Sequence, residues 1–257
     1  MRAGDVFNRC NAYLRSHERA RVLASRLARP LRRSALPVLS GHGRGLRVRV
    51  GPSTLTRIFA SVEPEVEEVF LSLLKPGSTV YDIGANIGWF ALLAARRVGA
   101  SGLVVAFEPS VTNMSVLQAN ALTNGFMNVD TVPAAVSDHD GWGRFLSTNS
   151  LQGRLDHAGD GYVPLLAVDS WIAATGQKPP DVVKIDVEGA EAQVLRGMRE
   201  TLQSARPILI VELHGTTGNV ADELESIGYG HSLIDAPGPT REGPWWAHVL
   251  ATPARSA

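Results

Sequence analysis

Cysteine is nearly absent from this 257-residue chain: Cys10 stands alone, which excludes an internal disulfide and a cysteine-built metal site. Long hydrophobic runs are missing as well. No apolar stretch approaches the roughly 20 residues that span a bilayer, and the amino terminus lacks the compact apolar core of a secretory signal. A cytoplasmic location is the expectation. The first 60 residues contain no lysine and only two acids, Asp5 and Glu18, against thirteen arginines, for a net charge of +11. The chain as a whole is formally neutral, so residues 61–257 carry the balancing −11. These charges divide the chain into a basic arm, residues 1–60, and an acidic domain, residues 61–257.

What is present suits one large α/β domain with an appendage. Hydrophobic residues make up 44% of the chain, ample for a buried core. In the arm, Val6, Phe7, Cys10, Leu14, Val22, Leu23, Leu27 and Leu31 recur loosely at helical spacing, until Pro30 and Pro37 break the pattern. Leu46, Val48 and Val50 alternate with Arg47 and Arg49, as in a half-exposed strand. Pro64 to Leu74 carries one apolar stripe with proline in its first turn, and predicts a helix.

Four short apolar runs then end in a carboxylate: Thr79 to Asp82, Leu103 to Glu108, Val182 to Asp186 and Ile208 to Glu212. Buried parallel strands read as continuous β-branched runs, and open α/β sheets bind ligands beyond their strand carboxyl ends. Helical patterns alternate with these runs, the mark of a parallel sheet. Val129 to Val136 predicts a further strand and Tyr229 to Ile234 and Ala247 to Ala251 the closing ones. Helices are expected at Trp89 to Val98, Val111 to Leu122, Val168 to Ala174 (entered at Asp169 or Ser170), Glu188 to Leu202 and Val220 to Ile227. The polar, glycine-rich stretch from Ser137 to Gly161 predicts a hairpin around Gly143 to Leu146 and a long loop.

After Asp82 comes Ile83-Gly84-Ala85-Asn86-Ile87-Gly88. Gly84 allows the turn and Gly88 lets the next helix approach the sheet. The loop lacks the third glycine and the spacing that bring a backbone against pyrophosphate. S-adenosylmethionine, which has no pyrophosphate, fits better. Its amino-acid end suits Asp82 and the backbone of Gly84, Ala85, Asn86 and Gly88; its ribose hydroxyls suit Glu108, at the next strand end. Ser137 and Asp138, after the third strand, are candidates for the adenine edge.

The second acidic motif is Lys184-Ile185-Asp186-Val187-Glu188-Gly189-Ala190-Glu191. In an extended segment Lys184, Asp186 and Glu188 share a face. Glu191 reads as a helix-start residue, where the dipole favours negative charge. These blocks, with Phe107-Glu108-Pro109 and Val194-Leu195-Arg196-Gly197, resemble the FkbM family of S-adenosylmethionine-dependent methyltransferases over roughly residues 60 to 235. The resemblance implies a Rossmann-like class I methyltransferase fold, with a seven-stranded, mostly parallel sheet and helices on both faces. It also implies O-methylation of hydroxyls on sugars, glycans or polyketide-type natural products.

Methyl transfer to an alcohol is an in-line displacement that needs alignment and removal of a proton. Asp186, Glu188, Glu212 and His214 are the candidates for the reacting end, with His214 suited to proton acceptance. The same residues could hold Mg²⁺ or another divalent cation, although carboxylates that bind the acceptor explain them without one. His157 reads as a solvated loop residue. Trp89, Trp245 and Trp246 suit packing or sugar stacking.

The arginine-rich arm reads as a helical cap with a solvated face; it also permits peripheral contact with an anionic membrane surface. Nucleic acid is not the favoured partner, and a homo-oligomer is allowed. Two rival functions share this sheet: a nicotinamide-dependent oxidoreductase, and a catalytically silent module that binds cofactor or glycan.

Overall fold

The structure, a computed structural model, describes residues 34–49, 54–59, 61–147 and 153–254. The helical pattern expected over residues 6–31 lies outside them. Strands β1 (Ala35–Pro37) and β2 (Arg47–Arg49) form an antiparallel pair, followed by helices α1 (Thr54–Phe59) and α2 (Pro64–Leu73). The alternation then runs β3 (Thr79–Ile83), α3 (Trp89–Val98), β4 (Leu103–Phe107), α4 (Val111–Thr123) and β5 (Val129–Val132). Four short strands follow: β6 (Ala135–Val136), β7 (Gly141–Ser147), β8 (Gly153–Leu155) and β9 (Gly161–Leu166). The remainder is α5 (Val168–Thr175), β10 (Val182–Ile185), α6 (Glu191–Gly197), α7 (Arg199–Ser204), β11 (Ile208–Glu212), α8 (Thr217–Ser226), β12 (Tyr229–Leu233) and β13 (His248–Pro253).

The main sheet has seven strands in the order β12-β13-β11-β10-β3-β4-β5, and β13 alone runs against the rest. Its pleat divides the core in two. Val80, Val104, Val182 and Ile210 pack on one face with Phe70 of α2, Leu92 of α3 and Leu117 of α4. Tyr81, Val105, Val183 and Leu209 pack on the other with Val168, Val194, Leu202 and Val220 from α5 to α8. Helices therefore cover both faces, and the strand ends are left free for chemistry.

Residues 34–49 and 54–59 join the first of these clusters through Val38, Leu46, Val48 and Ile58. A buried polar knot fixes them: Glu67, with no exposed surface, accepts from Trp89 Nε1 at 2.8 Å and from the Ser61 hydroxyl, and lies 3.4 Å from His42 Nδ1. Trp89 is thus a core residue, 5% exposed, and not a sugar platform.

Four local expectations are corrected. The strand expected over Val129 to Val136 breaks at Pro133, which has no N–H for a ladder; β5 stays in the main sheet and β6 pairs with β9. The glycine-rich stretch holds the expected hairpin, β7 with β8, and more strand besides, because both join β9 and β6 in a four-stranded sheet. The helix expected from Glu188 to Leu202 is two helices. The Asp169 carboxylate, instead of opening α5, accepts the N–H groups of Glu200 (2.8 Å) and Thr201 (2.9 Å), and so caps α7.

Candidate active site

The loop after β3 is held against the next strand. Gly84 N–H and Ala85 N–H both donate to the Phe107 carbonyl at 2.9 Å. Gly84 has φ +82°, and a Cβ there would overlap the carbonyl oxygen of Asp186, so the turn accepts no other residue without moving β10's exit. Asn86, at φ +53°, donates its N–H to Glu108 Oε2 at 2.9 Å. Gly88 begins α3 at φ +89°, where a Cβ would come within 2.7 Å of Leu117 Cγ.

Glu108 is 5% exposed, and its Oε1 accepts Ser110 N–H (2.8 Å) and Asn113 Nδ2 (3.5 Å). Burial pushes this carboxyl up, and those hydrogen bonds oppose the shift. Each oxygen keeps further lone-pair capacity for a hydroxyl donor. Asp82 is 3% exposed and its Oδ2 has no hydrogen-bond partner. Burial pushes its carboxyl up to about 6, against the nearby charge of Lys184 and the Ala91 N–H. A buried acceptor oxygen without a donor is costly by itself, and it suits a ligand that brings an ammonium group. The residues of this loop therefore fit S-adenosylmethionine: the unpartnered Oδ2 of Asp82 for its amino group, and Glu108 for its hydroxyls.

Ser137 and Asp138 have other neighbours. Ser137 is buried and bonded through its N–H to the Leu166 carbonyl (2.8 Å). Asp138 is held by His139 Nδ1 at 2.7 Å and Arg196 at 3.4 Å, which keep its carboxyl below the usual range.

At the other half of the rim, Asp186 N–H donates to the Ile83 carbonyl (2.9 Å), which ties β10's end to the cofactor loop. The extended alternation expected through Glu188 does not persist. Strand β10 stops at Ile185, and Glu188 and Gly189 turn through φ +55° and +106°. Glu188 nevertheless comes back to the site, with its Oε2 at 3.5 Å from His214 Nε2. Glu212 Oε1 lies 3.6 Å and Asp186 Oδ1 3.9 Å from the same nitrogen. The four residues expected at the reacting end are thus brought together.

Sequence reasoning missed what holds them. Glu191 is no mere helix-start residue. It has no exposed surface; Oε1 meets His214 Nδ1 at 2.8 Å and the Gly189 N–H at 2.9 Å, while Oε2 accepts the Thr216 hydroxyl at 2.8 Å. Burial acts against the charged imidazole, but Glu191, Asp186 and Glu188 prevail and raise His214 to about 9.

Lys184, buried and 5.0 Å from the Phe90 ring centroid, sets its ammonium 3.6 Å from Asp186 and 3.4 Å from Glu212. His248 opens β13 opposite Glu212 in the ladder. Its Nε2 is 3.2 Å from Glu212 Oε2, and its Nδ1 is 2.7 Å from Asp235. Burial opposes ionisation of Glu212, but the bond from His248 and the charges of Lys184, His248 and His214 keep it well below the usual range. Asp186 moves up, through burial and then through Glu212 beside it. The pattern could have been sensed at Lys184, a lysine inside a buried run.

Oxygen and nitrogen atoms of Asp186, Glu212 and His214 lie within 4.8 Å of one another, a grouping that could also hold a metal ion. Lys184 already places a cation against two of the three.

The model of the methyltransferase FkbM domain matches residues 82–230, more than half of the chain and nearly all of the site just described. The chain belongs to the FkbM methyltransferase family. As a family member it takes S-adenosylmethionine as its cofactor, and the nicotinamide reading loses its support. Hexuronic acid methyltransferase AglP of Haloferax volcanii is 28% identical over 163 residues, which cover 59% of this chain and 62% of AglP. The 31-O-demethyl-FK506 methyltransferase FkbM of Streptomyces tacrolimicus is 27% identical over 208 residues, covering 66% of this chain and 78% of its own. Among solved structures, a candidate rRNA-methylase from Clostridium thermocellum aligns over 77% of this chain and 99% of its own, with a TM-score of 0.51 and 11% identity. That likeness shows the fold alone.

Proposed function

We propose that this FkbM-family protein is an O-methyltransferase whose acceptor is a hydroxyl of a sugar, glycan or polyketide-type natural product. One observation carries the reading: Asp186, Glu188, Glu212 and His214 converge at the strand rim beside the loop that fits the cofactor. The two relatives named for a hexuronic acid and for a demethylated FK506 position support this acceptor class.

When bound, S-adenosylmethionine supplies an electrophilic methyl group. The chain must orient the acceptor and take its proton. Both ring nitrogens of His214 face carboxylate oxygens, so the imidazole serves as a donor and has no free lone pair. The proton therefore goes to a carboxylate. Glu212 is committed to Lys184 and His248, whereas Asp186 keeps 34% of its side chain exposed and carries a raised pKa. Asp186 is the general base in this reading, and Glu188 and His214 orient the hydroxyl. Ser137 and Asp138 remain candidates for the adenine edge.

Radiolabelled methyl transfer from S-adenosylmethionine to a panel of glycans and hydroxylated natural products tests the proposal. Base-stable label in an ether product supports it. Tight binding of S-adenosylhomocysteine with no transfer to any member would favour the silent module. Rates unchanged after dialysis against EDTA are expected; loss restored by Mg²⁺ would assign Asp186, Glu212 and His214 to a metal.

A further inference from the structure

Trp245 and Trp246 occupy the two central positions of a tight turn closed by Ala247 N–H to the Pro244 carbonyl at 3.1 Å. Such corners usually hold glycine, asparagine, aspartate, serine or proline, which supply the geometry without leaving apolar surface in water. Here two tryptophans stand 65% and 46% exposed.

Their position is fixed from two sides. Leu213 N–H donates to the Ala247 carbonyl (2.8 Å) and Gly215 N–H to the Trp245 carbonyl (3.0 Å), so the turn is bonded to the residues on either side of His214. Because β13 runs antiparallel to β11, it enters the sheet at the rim where β11 leaves it. The turn that carries the tryptophans is therefore held beside His214 by backbone hydrogen bonds.

We infer that this turn is the acceptor subsite, a platform on which a pyranose ring lays its C–H face while its hydroxyls meet Glu188 and His214. The inference rests on the O-methyltransferase reading and narrows its acceptor to carbohydrate. The combination of groups is what selects that class. A ring with one apolar face and several hydroxyls uses both the aromatic surface and the carboxylates, as binding sites of mixed character do. A phosphate-bearing strand or an anionic membrane offers many like charges and few hydroxyl donors to Asp186, Glu188 and Glu212.

The test uses the full chain, with and without saturating S-adenosylhomocysteine. The probes are the methyl pyranosides of glucose, galactose, mannose and glucuronic acid, followed by saturation-transfer NMR and tryptophan fluorescence. At least one should bind the wild-type protein and lose roughly tenfold or more in affinity in the Trp245→Ala/Trp246→Ala variant. The Trp245→Phe/Trp246→Phe variant, which keeps aromatic faces, should stay within about threefold. Affinity for S-adenosylhomocysteine should be the same in all three proteins. Absence of binding to any of the four sugars, or equal binding by wild type and the alanine variant, overturns the subsite. Sedimentation showing a wild-type dimer and a monomeric alanine variant overturns it too, and gives the surface to a second copy. If the wild-type protein fails to bind S-adenosylhomocysteine, the methyltransferase reading falls, and the sugar titrations without it still decide the subsite.

Discussion

Glu191 Oε1 lies 2.8 Å from His214 Nδ1, inside a cluster where His214 meets three further carboxylates through its other nitrogen. Glu191 thereby fixes which nitrogen faces the acceptor, and it does so from a buried position that no substrate reaches. Glu191→Gln should lower the His214 pKa from about 9 toward its ordinary value, as read by NMR titration of the ring. It should also slow transfer while leaving affinity for S-adenosylhomocysteine unchanged. The sign for stability follows from the raised value. The imidazolium stabilises the folded state fully below the unfolded pKa of 6.5, and that contribution is lost as pH rises through about 9. Denaturant unfolding at pH 6 and pH 9.5 should show the loss in the wild-type protein and a smaller one in the variant.

Asp186→Asn should reduce the transfer rate by roughly 10² to 10⁴, the range for a lost general base. Cofactor affinity should change little. Equal loss in rate and in cofactor binding would remove Asp186 from the base role and give its carboxylate a part in holding the cofactor.

Glu108→Ala should act the other way. Its carboxylate accepts from Asn86, Ser110 and Asn113 and, in the proposed reading, from the cofactor ribose. A charged hydrogen bond is worth about 1.5 to 3 kcal/mol, so affinity for S-adenosylhomocysteine should fall on the order of 10- to 100-fold by calorimetry. A lower Tm should accompany it, since three donors around the loop lose their acceptor.

Asp82 predicts a pH dependence of cofactor binding. Burial raises its carboxyl to about 6, and the neutral acid cannot pair with an ammonium. Binding should weaken as pH falls through about 6, by up to roughly tenfold per unit below it. In Asp82→Asn the affinity should be lower throughout and flat over the same range.

Gly84→Ala tests the junction between the halves of the site. The new Cβ would sit at φ +82° and overlap the Asp186 carbonyl oxygen. Destabilisation above about 4 kcal/mol is expected in urea unfolding, as for other strained, overpacked positions. A variant as stable as the wild type would show that β10's exit moves freely.

The strand ends and the cofactor loop were legible because continuous runs such as Val182-Val183 and Ile208-Leu209-Ile210-Val211 can only be buried, and a carboxylate closing each run marks the rim. Of the second sheet only a hairpin was legible, since Gly141, Gly143, Gly153 and Gly161 give its other strands the composition of a loop. Glu191 was hidden for another reason: a helix-start glutamate and a buried histidine anchor are the same residue type at the same place, and only the fold brings His214 to it. His248 and Asp235 depend on sheet order. Nothing in the pattern of β11, β12 and β13 announces that the last of them inserts between the other two.

That insertion has a consequence for the chain during its synthesis. Asp82 and Glu108 emerge from the ribosome early, with the strands that carry them. His248 and the paired tryptophans emerge only with β13, which lies between β11 and β12 in the finished sheet, and only then can Glu212 meet its second imidazole. In the proposed reading the residues for the cofactor are thus made well before those for the acceptor, and the last strand of the chain completes the site.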